Sequence, residues 1–257
     1  MIWLASLFAL LGLLFGTLVV HLAEAALAKR RLAAPHCPYC ASELTPLQWN
    51  ATLSLLLGQG HCASCGRALR LPRFLGELFL ALGWGLIVAR FGVIPRSLLA
   101  MVAMVPQAII LVTDLEVKLV PNRIMLPSIA VMLVLGTLFG PGLPQLGGHR
   151  WWQSLAGAAM GFVVFRVLVW VGVALFGEGA LGEGDITLST YVGAVVGFPM
   201  ILESLVLAFA LGGFGAALVL LSQRGKLGTA IPYGPFIILG CALTQVWGME
   251  ILTWFLG

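Results

Sequence analysis

The sequence predicts an all-α polytopic membrane protein of about eight transmembrane helices carrying a small cytoplasmic zinc-binding module. Three observations carry that prediction. Of 257 residues, 60% are hydrophobic and only 9% charged, where a soluble protein has about 25% charged, and the mean hydropathy is +1.05. The apolar residues fall in long unbroken runs, and one span of the bilayer takes roughly 20 residues. Such runs argue against the short alternating strands of a β-barrel. Finally, the one sizeable polar segment holds two Cys-x-x-Cys pairs. The net charge of +4 is too dilute for a nucleic-acid surface, so no nucleic-acid partner is expected and membrane lipid is.

Residues 1–28 form the first predicted span. The run lacks a basic start and is followed by Lys29, Arg30 and Arg31, which suits a retained span better than a cleaved signal. His21 and Glu24 share a helical face near its end.

Residues 29–73 form the predicted cytoplasmic module. Cys37 and Cys40, then Cys62 and Cys65 about twenty residues later, have the ligand spacing of a four-thiolate tetrahedral zinc site. Four thiolates close the coordination sphere, so His36 and His61 read as neighbours and the metal as structural. Two disulfides or a redox pair are the alternatives, and a reducing compartment disfavours the disulfides.

Residues 74–257 form the remaining membrane domain. Spans are predicted at 74–89, 97–113, 124–140, 151–176, 186–199, 201–222 and from Pro232 onward, with 186–199 the weakest. Asp114 closes the 97–113 run, ahead of Pro121-Asn122. Arg166 lies inside a span and must snorkel, face a pocket or find a partner. The stretch 177–185, GEGALGEGD, is too rich in glycine for a helix interior and reads as a flexible loop ending at Asp185. Pro232 and Pro235 flank Gly234, an irregular helix start that lets backbone approach a neighbour. Cys241 reads as packing.

Charge sets the orientation. Lys and Arg at 29, 30, 31, 67, 70, 73, 118, 123, 224 and 226 fall on one side, while 90, 96 and 150 fall on the other. The positive-inside rule then puts both termini outside and the cysteine module in the cytoplasm. Asp114 and Asp185 come to the same cytoplasmic face. Two carboxylates beside spans suit paired acid/base chemistry; Asp114 alone reads equally as a helix cap or membrane-edge charge, and Asp185, with glycines crowding it on both sides, favours the chemical role.

At this point the chain resembles the bacterial type IV prepilin peptidases (type 4 prepilin leader peptidase/N-methyltransferases), a family of GxGD-type aspartic proteases. The likeness covers nearly the whole length. It rests on the basic-flanked double CxxC module, Asp114 in TDLEVKLVPNRIMLP, Gly182-Glu183-Gly184-Asp185, and IPYGPFIILG, in that order. The resemblance implies a multi-pass protein of the bacterial cytoplasmic (inner) membrane, with Asp114 and Asp185 as the catalytic pair. Sharing one proton, one carboxylate would activate water and the other polarise the scissile carbonyl. The implied substrates are type IV prepilins or pseudopilins, cut after a glycine between a basic leader and a hydrophobic helix. Many members then methylate the new N-terminus with S-adenosylmethionine. Two departures stand out. Thr187 occupies the position of a family lysine, and Gly16-Thr17-Leu18-Val19-Val20 only loosely matches the family's N-terminal Gly-Ser-Phe-Leu-Asn. The second bears on methylation rather than on cleavage. The competing readings are a transporter using its intramembrane charges and broken helices, and a non-catalytic pilus or secretion assembly protein.

Overall fold

The computed structural model describes residues 1–28, 34–37, 39–143, 150–177, 182–221 and 232–256. Ten helices follow one another: α1 (Ile2–Ala28), α2 (Pro46–Trp49), α3 (Ala51–Leu56), α4 (Leu71–Phe91), α5 (Pro95–Val117), α6 (Asn122–Phe139), α7 (Trp152–Phe176), α8 (Glu183–Val196), α9 (Met200–Leu221) and α10 (Gly234–Leu256). Among the described residues, seven of them (α1, α4, α5, α6, α7, α9 and α10) are long and apolar enough to cross a membrane.

The eighth predicted segment, 186–199, is helical too. At 14 residues α8 is short, about 21 Å of helix against a hydrocarbon core of about 30 Å. It nevertheless runs from the Asp185 end to the opposite end, where the Phe198 N–H donates to the Gln153 carbonyl at the start of α7. Protein encloses it: Leu188, Tyr191, Val192 and Val195 have no exposed surface. Backbone nearly touches backbone where α7 meets α8. A Cβ on Gly157 would lie 2.2 Å from the Gly193 carbonyl oxygen, and one on Gly161 would lie 2.2 Å from that of Ser189. Small residues permit this approach, the usual basis of tight helix packing in lipid.

The most buried long helix is α5. It starts at Pro95, whose missing N–H is harmless in a first turn. It stops at Lys118, which adopts a left-handed conformation (φ 53°, ψ 45°) and donates its backbone N–H to the Asp114 carbonyl. Pro121 then caps α6. Antiparallel to α4 runs α1, with Gly12 against Leu80 and Gly16 against Glu77.

The bundle has two distinguishable ends. Met1 lies beside Gly92 and Arg90 pairs with Glu250, so the beginning of α1 and the later part of α10 share one end. At the other end sit Asp114, Gly184 and Gly234, with the cysteine segment close by. Of the ten basic residues assigned to one side, 67, 70, 73, 118 and 123 belong to that second end. Positions 29, 30, 31, 224 and 226 lie outside the described residues. Arg166 is exposed on α7 and forms no ion pair among the described residues, a position from which a long stem can snorkel. Cys241 is fully buried beside Gln107, as packing requires.

Candidate active site and metal centre

The last turn of α5 presents Asp114, 5% exposed. Across from it, the irregular start of α10 comes so close that a Cβ on Gly234 would lie 2.7 Å from Asp114 Oδ2. The Gly234 N–H donates to that oxygen at 3.1 Å. The proline-flanked glycine therefore does what its sequence suggests, bringing a free backbone donor to a carboxylate.

Asp185, 8% exposed, lies in the first turn of α8. The predicted loop 177–185 is thus shortened. Residues 178–181 are outside the described set, and Glu183, Gly184 and Asp185 are helical. Carboxylates in a first turn sit favourably against the positive end of the helix dipole. Gly184 lets this turn press on the α5–α6 connection, where a Cβ would come 2.8 Å from that of Val120. The Thr187 hydroxyl is within donating distance of Asn122 Oδ1 (3.3 Å) and of the Gly184 carbonyl (2.8 Å). A short polar residue at 187 thus ties α8 to α6. The two aspartates come within electrostatic reach of each other. Lys118 is within reach of Asp114 and Tyr233 of Asp185.

Sequence reasoning missed Tyr233. Its ring packs with Phe165, Phe209 and Phe236 at centroid distances of 6.2–6.3 Å, and Gly212 leaves space for it. The neighbouring prolines were the available signal, and they drew attention to the glycine instead. Near the Asp114 end of α5, an apolar groove of about 460 Å³ runs between α4, α5 and α10. Leu111, Leu115 and Pro235 line it next to Asp114 and Gly234, while Leu86 and Trp247 line it farther along.

The four predicted cysteine ligands come together as expected. Cys37, Cys40, Cys62 and Cys65 have sulfurs all within 4.8 Å of one another, and none is in a disulfide. The Cys37–Cys65 and Cys40–Cys62 sulfurs are each 3.7 Å apart. A disulfide holds its sulfurs at about 2.05 Å. Tetrahedral ligands at about 2.3 Å from zinc would sit about 3.8 Å apart. The cluster therefore fits a metal ion of that size. Its two halves are built alike, with antiparallel bridges pairing His36 with Glu43 and His61 with Ala68, and both histidines stay outside the sulfur cluster. The Ser42 hydroxyl, together with the Cys65 and Ser64 amides, draws the Cys62 thiol down to about 6. Cys40 is lowered chiefly by the same hydroxyl. Against the pull of the Arg67 amide, burial and the other three sulfurs push the Cys65 thiol up to about 11. The lowered thiols favour the thiolate that a metal needs.

A many-spanned helical membrane protein with a buried carboxylate pair beside a four-thiolate cluster is the class that fold and site define. The comparisons give the family. The Type IV leader peptidase family profile matches residues 101–217, and the Bacterial Peptidase A24 N-terminal domain matches 10–91. A prepilin leader peptidase/N-methyltransferase of Bacillus subtilis (strain 168) is 30% identical over 224 residues, 86% of this chain and 84% of the relative. One from Aeromonas salmonicida (strain A449) is 30% identical over 233 residues, 86% of this chain and 73% of the relative. Another from Pseudomonas aeruginosa is 26% identical over 223 residues, covering 86% and 73%. No solved structure matches the chain. The chain belongs to the type IV leader peptidase family of bacterial multi-pass membrane proteins.

Proposed function

We propose that this protein is a membrane aspartic endopeptidase that removes the basic leader from type IV prepilins or related pseudopilins after a glycine. The observation that carries the reading is the meeting of Asp114 and Asp185, buried and within electrostatic reach at one end of the bundle. Two carboxylates this near share one proton: the ionised one takes a proton from water while the protonated one polarises the scissile carbonyl. The titration belongs to the pair, so neither is assigned as the base. The apolar groove beside Asp114 and Gly234 supports a substrate whose cut site adjoins a hydrophobic helix. The distribution of lysine and arginine supports a cytoplasmic site with both termini outside. The basic leader would thus stay in the cytoplasm. Cleavage of a prepilin by the detergent-purified protein, lost in Asp114→Asn and Asp185→Asn, tests the reading.

The division into a first span (1–28), a cysteine module (29–73) and a peptidase domain (74–257) belongs to this proposal, with one adjustment: α4 begins at Leu71, so Arg73 is part of the membrane domain. The cysteine module is proposed to hold one structural zinc through Cys37, Cys40, Cys62 and Cys65. Elemental analysis of freshly reduced, unchelated protein should find one zinc per chain, and Cys62→Ser should lower that content at least tenfold. A metal-free wild type would remove this part of the proposal.

N-methylation by S-adenosylmethionine is proposed as separable from cleavage. The two reactions make different demands. Methyl transfer needs a neutral amine held in line with the sulfonium methyl, chiefly by positioning, and does not need an asymmetrically protonated pair. Offered a pre-cut pilin and labelled S-adenosylmethionine, Asp114→Asn should transfer label at the wild-type rate, be that rate high or nil. A wild type that labels robustly beside an inert mutant would show the two reactions sharing a site.

A further inference from the structure

We propose that Arg70 and Glu116 are positioning residues, a clamp through which the cysteine module sets the orientation of the Asp114-bearing end of α5; the inference rests on the catalytic reading of Asp114. Asp114 lies in the last turn of its helix, where carbonyls lose their onward partners. The chain leaves this turn through left-handed Lys118, and Val117 and Leu119 are exposed. Such a turn frays unless something outside the helix holds it.

Two things do. On one side the Gly234 N–H binds the Asp114 carboxylate. Residues two apart on a helix point about 200° away from each other, so Glu116 faces away from the carboxylate pair. There its Oε2 meets Arg70 Nη1 at 3.3 Å, and the Glu116 side chain is only 6% exposed. Arg70 belongs to the module end, next to the start of α4. Its guanidinium lies 5.7 Å from the centre of the Tyr39 ring, and that of Arg67 lies at 4.7 Å. Tyr39 sits between the first pair of cysteines. Side-chain contacts thus run from the cysteine cluster to a residue two positions beyond Asp114.

A clamp needs a fixed base, and the module has one. Glu77 of α4, fully buried, accepts from the Ala51 N–H (2.9 Å), the Thr52 N–H (2.8 Å) and the Thr52 hydroxyl (2.7 Å). It satisfies the otherwise orphaned donors at the start of α3. Asn50 Nδ2 donates to the Thr17 hydroxyl of α1 at 2.6 Å. These contacts hold the module against α1 and α4, so motion of Arg70 relative to the bundle is restrained. Glu24 and Arg73 complete the cluster, 2.8 Å apart, an ion pair by distance rather than an aligned hydrogen bond. Three carboxylates (Glu24, Glu77 and Glu116) then share two guanidinium groups. Loss of Arg70 leaves Glu116 in a buried site with Glu24 within electrostatic reach, which drives the end of α5 away.

The test uses the full chain in detergent with zinc-replete Arg70→Gln, Glu116→Gln, the double variant and the swapped Arg70→Glu/Glu116→Arg. Hydrogen exchange of amides 114–120 should quicken at least tenfold in each single variant, with exchange in α7 and α8 and zinc content unchanged. The kcat for prepilin cleavage should fall about tenfold with KM held, the double variant should be no slower than either single one, and the swap should recover part of the loss. Unchanged exchange at 114–120 in both singles overturns the clamp whatever the activity. Faster exchange with kcat within twofold of wild type overturns its positioning role. Glu116→Gln leaves the module sequence intact, which covers an Arg70 variant that fails to fold. A wild type that cuts no prepilin is a failure of the proposed function, and the exchange measurement still decides the clamp.

Discussion

Asp114→Asn and Asp185→Asn are each expected to lower prepilin cleavage by about 10³-fold or more while the bundle stays folded. Asparagine keeps the volume and an oxygen that can accept from the Gly234 N–H, so the contact that holds Asp114 survives. The same replacement of Asp185 still fits the first turn of α8. What is lost is the ability to hold and pass a proton, and positioned acid/base groups contribute about 10²–10⁴-fold each. The two carboxylates act as a unit, so the Asp114→Asn/Asp185→Asn protein should be no slower than either single variant, the non-additivity expected of residues that share one task. Steady-state cleavage of a purified prepilin gives the rates. Size-exclusion behaviour and zinc content report the fold. Either single variant within tenfold of wild type, or a double variant that still cuts, would remove the pair from the chemistry. A transporter or an assembly protein would show no cleavage at all in the wild type.

How far the sequence reveals this arrangement depends on the kind of signal. Long apolar runs in hydrocarbon are a local property, so seven of the predicted spans correspond to long helices. The short α8 is the weakest of the eight in sequence for a physical reason. It is surrounded by protein (Tyr191 and Val195 are fully buried), and hydropathy does not distinguish a protein neighbour from a lipid one. The sulfur cluster is legible because each Cys-x-x-Cys pair is local and two such pairs about twenty residues apart have the spacing of four ligands to one metal ion. The approach of Gly234 to Asp114 is half legible: Pro232 and Pro235 announce an irregular helix start, but nothing in the chain says which carboxylate it meets. Contacts such as Arg70 with Glu116 or Glu77 with Thr52 are invisible, since charged residues at a membrane edge normally read as solvated. Only tertiary packing makes these buried partners. Arg166 illustrates the converse, an intramembrane charge for which sequence leaves a pocket or a partner open and which the fold leaves on the outside of α7.

Gly234→Ala should lower kcat by about 10²-fold, although it adds one methyl group and keeps the N–H. The added Cβ would lie 2.7 Å from Asp114 Oδ2 and 3.1 Å from Cγ, inside the distance at which such atoms coexist, so carboxylate and helix start must separate. Neither moves freely. The Asp114 helix end is held by its neighbours, and α10 packs on α9 so closely that a Cβ on Gly240 would sit 2.5 Å from the Ser204 carbonyl oxygen. A displacement of about 1 Å at reacting groups is enough for a loss of about 10²-fold. The groove is distant from that methyl along most of its length, so KM for the prepilin should change less than threefold. Gly213→Ala is the control, because a Cβ there meets nothing within 4 Å and alanine favours a helix over glycine by about 1 kcal/mol; that variant should cut at the wild-type rate and melt no lower. Gly234→Ala cutting within threefold of wild type would mean that the close approach of α10 to Asp114 plays no part in catalysis. A loss shared equally by Gly213→Ala would mean that α9 and α10 tolerate no change, and that the effect at 234 reports packing rather than the carboxylate.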